Sequence, residues 1–284
     1  ILIAMTTILE RGDHVIVTYP AYQSLYEIAA FLGREVSEWL PREQKGWAFD
    51  LNDLASLINP RTKLIVINFP HNPTGATISR TDLAKITEIA ERKDIILFSD
   101  EMYRFLEYDE RDRLPSACDM SRKAVSLSGL SKGFALAGLR IGWLTTQNAD
   151  LFKGFASYKD YTTICSSAPS EILALMALRA KDRILKRNLD LIGENLKRLD
   201  SFFADQADLF DWKRPKAGTI GFPRLEGEIK SADFCADLLD KKGVLLLPAD
   251  QYGYEGNHFR VGFGRRNFPE ALEKLRDYVD RFVR

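Results

Sequence analysis

The chain has 284 residues, enough for a sizeable core or two lobes, and its 40 Lys and Arg balance its 40 Asp and Glu. That neutrality excludes a basic field for nucleic acid, and no apolar run approaches the roughly 18 residues of a membrane helix. Cys118, Cys165 and Cys235 are scattered, as are His14, His71 and His258, so neither a disulfide framework nor a metal site is indicated and a reducing, cytoplasmic setting is expected.

The chain opens Ile-Leu-Ile-Ala-Met-Thr-Thr-Ile-Leu, already inside an apolar helix and without the charged n-region or cleavage site of a signal peptide. It is read as the interior of a longer protein. Short β-rich runs at 15–17, 64–68, 95–99, 124–128 and 141–144 then alternate with segments of helical period. This predicts an α/β fold, a mostly parallel sheet flanked by helices. Ser79 is placed to cap a helix, with Asp82 in its first turn and Leu83, Ile86 and Ala90 on one face, linking the second and third of these strands. Leu185, Leu189, Ile192, Leu196, Leu199 and Phe203 form the stripe of a long amphipathic helix over 182–206. Beyond it, strands are expected at 219–222, 244–247 and 259–262. A helix is expected over 231–242, stopped by Gly243, and a last one carries Leu272, Leu275, Val279 and Phe282. The expected organisation is a large lobe, 1–180, and a smaller C-terminal α+β lobe, 181–284.

Lys132 is the residue that carries most chemical information. It follows the strand-like run 124–128 and precedes small and apolar residues, so it stands at a strand end in a partly dry setting. A lysine amine forms a Schiff base only when it is neutral part of the time, through desolvation or neighbouring cations. Arg140 lies eight residues on, and its planar fork suits a phosphate ester. The pair points to pyridoxal phosphate, whereas a bare Ser-Lys pair is usually a turn in solvent.

Other segments at predicted strand ends suit the same cofactor, as ligands of open α/β sheets bind there. Tyr22, in Pro20-Ala21-Tyr22, is an aromatic that can stack on a ring, or simply pack in a core. Asn72 lies in Asn68-Phe69-Pro70-His71-Asn72-Pro73-Thr74-Gly75, a turn that can aim an amide inward at the cofactor's phenolic oxygen or merely close on itself. Asp100 ends a strand, where it serves either as a partner of a pyridine nitrogen or as a helix cap, and Tyr103 follows three residues later. Arg260, in Phe259-Arg260-Val261-Gly262, is flanked by apolar residues and calls for an anionic partner: a substrate carboxylate or an internal ion pair.

The Asn-Pro-Thr-Gly turn, the Asp-x-x-Tyr pair, the Ser131-Lys132 to Arg140-Ile141-Gly142 string and the late Phe-Arg-Val-Gly string occur in one order. In that order the chain resembles the class I/II aminotransferases, pyridoxal-phosphate enzymes of fold type I, along nearly its whole length. The resemblance implies that Tyr22 stacks on the ring, Asn72 and Tyr103 bind its phenolic oxygen, and Asp100 pairs with its nitrogen. It further implies that Ser131 and Arg140 hold the phosphate, Lys132 forms the Schiff base, and Arg260 grips the substrate α-carboxylate.

Three departures from that family pattern stand out. Gly129 takes the place of a serine three residues before the lysine, Glu171 replaces a glutamine, and a phosphate-cupping helix start with an N-terminal closing segment would precede Ile1. The expected function is amino transfer from an α-amino acid to a keto acid, in a homodimer, with weakened cofactor binding if the cup is missing. The alternatives are another reaction on the same cofactor (lyase, racemase, cyclase or oxidase) or a ligand-sensing domain of a regulator.

Overall fold

The structure, a computed structural model, describes residues 1–283. Its first half runs α1 (Leu2–Ile8), β1 (His14–Thr18), α2 (Glu27–Phe31), β2 (Glu35–Trp39), α3 (Leu51–Leu57), β3 (Thr62–Asn68), α4 (Arg80–Arg92), β4 (Ile96–Asp100), α5 (Ala117–Met120), β5 (Ala124–Gly129) and β6 (Gly142–Thr146). Then come α6 (Ala149–Asp160), α7 (Ala168–Arg179), α8 (Lys181–Asp205), β7 (Phe210–Asp211), β8 (Ile220–Gly221), β9 (Arg224–Leu225), α9 (Ser231–Lys242), β10 (Leu247–Pro248), β11 (Phe259–Gly262) and α10 (Phe268–Tyr278), which passes into a π-helical turn, Val279–Val283.

The first six strands form one sheet in the order β2-β1-β3-β4-β5-β6. All neighbours are parallel except β6, which returns antiparallel to β5. β1 and β4 are buried along their length, as expected of β-branched runs covered on both faces. Val15 and Val17 pack with Met5, Leu25 and Phe155 on one face, while Ile16 packs with Leu54, Leu83 and Ile86 on the other. α4 starts as its sequence requires: the Asp82 amide donates to Ser79 Oγ at 3.0 Å, and Ser79 Oγ donates to Asp82 Oδ2 at 2.7 Å. The strand order turns back between β1 and β3, a topological switch point where α/β sheets bind ligands.

A second core gathers α8, α9, α10 and the short strands, with Phe202, Phe203, Phe234, Phe259 and Phe263 at its centre. Tyr103 and Leu106, from the segment after β4, insert into it and join it to the large sheet. α9 stops at Gly243 in a left-handed conformation.

Several elements differ from expectation. β2 was not anticipated, because Glu35 and Glu38 mask an edge strand whose Trp39 is fully buried. Residues 244–246 join no ladder, and pairing with β11 begins only at Leu247, opposite Arg260. The run at 219–222 contributes only Ile220 and Gly221 to a ladder. Val279 and Phe282 fall in the π-helical turn, and Phe282 is 49% exposed rather than on a buried stripe.

Candidate active site

Three adjacent strands deliver the site. Asn68 at the end of β3 pairs in register with Asp100 at the end of β4, and β5 beside them ends at Gly129, just before Lys132. Asn68 is buried and spends both ends of its amide: Nδ2 donates to the Asp100 carbonyl at 3.0 Å and Oδ1 accepts from the Asn72 amide at 2.8 Å. The loop after β3 closes through Gly75 N to the His71 carbonyl at 2.7 Å. Gly75 has φ 68°, and a Cβ there would fall 2.4 Å from Pro215 Cβ and 2.8 Å from the Ala217 carbonyl, so only glycine fits. Its own carbonyl accepts from the Lys216 and Ala217 amides, which ties the loop to the second core. Asn72 thereby stands where the two cores meet, and its Oδ1 accepts from Arg260 Nη1 at 3.2 Å.

Asp100 is buried, and among the described residues the Met102 amide, 3.0 Å from Oδ1, is the single hydrogen-bond donor to its side chain. Burial pushes its carboxyl up to about 6, with the Met102 amide pulling the other way. The helix-cap alternative does not hold, because Asp100 lies within β4 and its carboxylate closes a turn. Tyr103 lies behind Lys132, whose Nζ sits 5.4 Å from the ring centroid. Burial pushes the Tyr103 phenol up to about 12, opposed by the Arg260 guanidinium and the Thr219 hydroxyl. Desolvation and then Arg260 lower the Lys132 amine below the ordinary lysine value, while Tyr22 and Asp100 work against them. A lowered amine is the condition for a nucleophilic lysine.

Ser131, Lys132, Tyr103 and Arg260 line one cavity of about 550 Å³, within the size range of small-molecule sites. Tyr22 is half exposed after β1, near enough to contribute to the electrostatics of Lys132 but not part of that wall. Arg140 is not part of it either: it is exposed, has φ 55°, and donates Nη1 to the Ala137 carbonyl at 2.8 Å. The Gly129 departure has a steric reason, since a Cβ there would lie 3.0 Å from both Gly142 Cα and the Ile141 carbonyl of the antiparallel partner strand. Glu171 lies in the first turn of α7. Sequence reasoning missed Asn68, Thr219 and Asn188, whose Nδ2 donates to the Gly133 carbonyl at 2.8 Å, and also Arg187, Arg265 and Arg266, which line the cavity. Asn68 had a signal, a polar residue closing an apolar strand; the others had none.

The sequence matches the family described as aminotransferase class I and II over residues 1–275. The chain belongs to that family. Its sheet and lobes superpose on a pyridoxal-phosphate-dependent aminotransferase from Streptococcus suis with a TM-score of 0.92 and 37% identity, covering 99% of this chain and 74% of that one. Capreomycidine synthase of Streptomyces vinaceus is 31% identical over 88% of the chain, which spans 64% of that protein. A probable N-succinyldiaminopimelate aminotransferase of Mycobacterium tuberculosis is 31% identical over 98% of the chain, which spans 74% of it.

The residues fit the family's pyridoxal phosphate. Asp100 is a buried carboxylate short of a donor, which a protonated ring nitrogen would supply, and Lys132, its amine lowered by desolvation and Arg260, lines the same wall as Ser131 and Tyr103. Asn72 Nδ2 makes no hydrogen bond to any described residue and is free for a phenolic oxygen.

Proposed function

We propose that the chain moves an amino group from an α-amino acid to a keto acid. When bound, pyridoxal phosphate supplies the aldehyde that takes up the amino group and the ring that withdraws electrons from the substrate α-carbon. In this reading Asp100 holds the ring nitrogen protonated, Asn72 and Tyr103 donate to the phenolic oxygen, and Tyr22 stacks on the ring. Ser131 and Arg140 take the phosphate, Arg140 by turning its exposed side chain inward. Arg260, held by Asn72 at 3.2 Å, presents its remaining donors to the substrate α-carboxylate. Lys132 Nζ, lowered by desolvation and Arg260, takes the proton from the substrate α-carbon and returns it to the cofactor side. The observation that carries the proposal is this lowered amine sharing one cavity with Arg260 and Tyr103.

The proposed organisation is a large lobe, 1–180, and a small lobe, 181–284, supported by clusters on the two faces of the large sheet that hold no residue of the second half and by a core drawn mainly from residues after 181. A homodimer is proposed as well, supported by α7, where Ile172, Leu173, Leu175, Met176 and Leu178 are all exposed.

Amino transfer from a panel of donors, measured with and without keto acid, tests the reading. Keto-acid-dependent transfer is expected, falling by about 10²–10⁴ in Lys132→Ala, the scale of a lost general base. The likeness to a relative named as a synthase favours a second reading, another reaction on the same cofactor; conversion of substrate with no keto acid present would replace the first.

A further inference from the structure

Successive residues of β11 point to opposite faces. Phe259, Val261 and Phe263 enter the second core, so His258, Arg260 and Gly262 face the other way, the last two onto the Lys132 cavity. His258, two positions before Arg260, is buried, and its Nε2 lies 3.1 Å from Glu43 Oε1, a carboxylate of the large lobe. Among the described residues its Nδ1 has no hydrogen-bond partner, and a Cβ on Gly256 would fall 2.4 Å from that nitrogen. The proton therefore belongs on Nε2, which donates to Glu43. Desolvation, opposed by Glu43, holds the imidazole below the ordinary histidine value and favours this neutral form. The ring stacks on Phe222 at 4.9 Å and meets Trp47 edge to face at 5.2 Å.

Both sides of this contact are held. The turn that carries Glu43 and Trp47 closes through the Arg42 amide to the Ala48 carbonyl at 2.8 Å, and Arg42 is tied to Asp50 and Asp53 at 2.9 and 3.0 Å. On the strand, the His258 carbonyl accepts from the Ala249 amide at 2.9 Å, and the Phe259 amide donates to the Pro223 carbonyl at 3.1 Å. Arg224 stands 3.9 Å from Glu43 but is shared with Asp211 and Glu226. Trp47 and Phe222 share one cluster with Ala76, from the loop of Asn72, and with Tyr252, whose ring centroid lies 5.9 Å from the Arg260 guanidinium. A buried carboxylate and an imidazole with one nitrogen unpaired are a costly way to join two lobes, which an apolar pair would do at less cost. What the polar pair adds is a fixed direction and distance, applied two residues from Arg260.

We infer that Glu43 and His258 are positioning residues for Arg260: their hydrogen bond fastens β11 to the turn 42–48 and sets where the guanidinium meets the substrate α-carboxylate. The inference rests on the proposed function, in which Arg260 receives that carboxylate.

Butyrate, a carboxylate with no amine to react, is the probe, titrated by calorimetry into the protein loaded with pyridoxal phosphate. Glu43→Ala and His258→Phe should each weaken it about 10-fold, the scale of one misplaced hydrogen bond to a charged group, and together by no more than either alone. Glu43→Gln, which keeps an acceptor oxygen, and His258→Gln, which keeps an N–H donor, should restore most of the affinity. Affinity for pyridoxal phosphate, followed by its absorbance, should be unchanged in every one of these variants, because neither residue lines the Lys132 cavity. His258→Phe preserves the aromatic stack, so it carries the test if Glu43→Ala folds poorly. Unchanged butyrate binding in both variants, or losses as large in the glutamine variants, overturns the inference, as does a parallel loss of cofactor affinity, which marks a purely structural role. Arg260→Gln separates the two claims: if it leaves butyrate binding intact, the functional reading loses its carboxylate partner and the inference falls with it. A loss in Arg260→Gln alone overturns the inference and spares the reading.

Discussion

Burial makes Asp100 costly to ionise until a cation meets it. Its carboxyl rises from the ordinary 3.8 to about 6, so in the cofactor-free protein its contribution to stability is fully present below about pH 4 and is lost as pH rises through about 6. Asp100→Asn should therefore leave stability at pH 4 unchanged and stabilise the cofactor-free protein at pH 8 by on the order of 2–3 kcal/mol. Denaturant midpoints at the two pH values measure this, and equal midpoints at pH 8 would disprove the buried unpaired carboxylate. On the proposed pairing of Asp100 with the ring nitrogen, the sign reverses with cofactor bound, because the variant loses that pairing. Asp100 and Lys132 were both legible in the sequence, since each ends or follows an apolar run and strand ends are local events. The role of Asn68 was not, because its partners, the Asp100 carbonyl and the Asn72 amide, are set by strand register and loop closure.

At the scale of elements, α8 shows what pattern reading catches and what escapes it. Leu185, Ile192, Leu196, Leu199 and Phe203 form the buried stripe that their spacing predicts. Asn188 and Asn195 are buried among them, although in a stripe count they read as its polar border. Each exchanges water for backbone carbonyls, and removing Asn188 leaves the Gly133 carbonyl without that donor. Asn188→Ala should cost about 1–3 kcal/mol by urea unfolding, the range for a buried polar group left unsatisfied, and an unchanged midpoint would show that the Gly133 carbonyl finds another donor. β2 escaped for the opposite reason: its glutamates suit an exposed edge, and only the fully buried Trp39 and pairing with β1 reveal the strand.

For the whole molecule, α7 is a helix that leaves apolar side chains exposed. Ile172 and Met176, four residues apart on α7, are each 61% exposed, and Phe152 and Ile164 are 63% and 70% exposed. A face of this kind fits a second copy of the chain. The protein is expected to sediment as a dimer, and Ile172→Asp with Met176→Asp to shift it to monomer at the same concentration; a wild-type monomer would remove the proposal. By itself the sequence determined the α/β class and the long helix and singled out Lys132, Asp100, Asn72 and Arg260 as candidates, because hydrophobic period, caps and turn residues act over a few positions. Only the tertiary structure decided that Asn72 meets Arg260, that Arg140 lies off the cavity wall, and that Arg187, Arg265 and Arg266 join Lys132 around one space. Those contacts join residues from separate elements, and their separation is set by how helices and sheet pack, which no local spacing encodes.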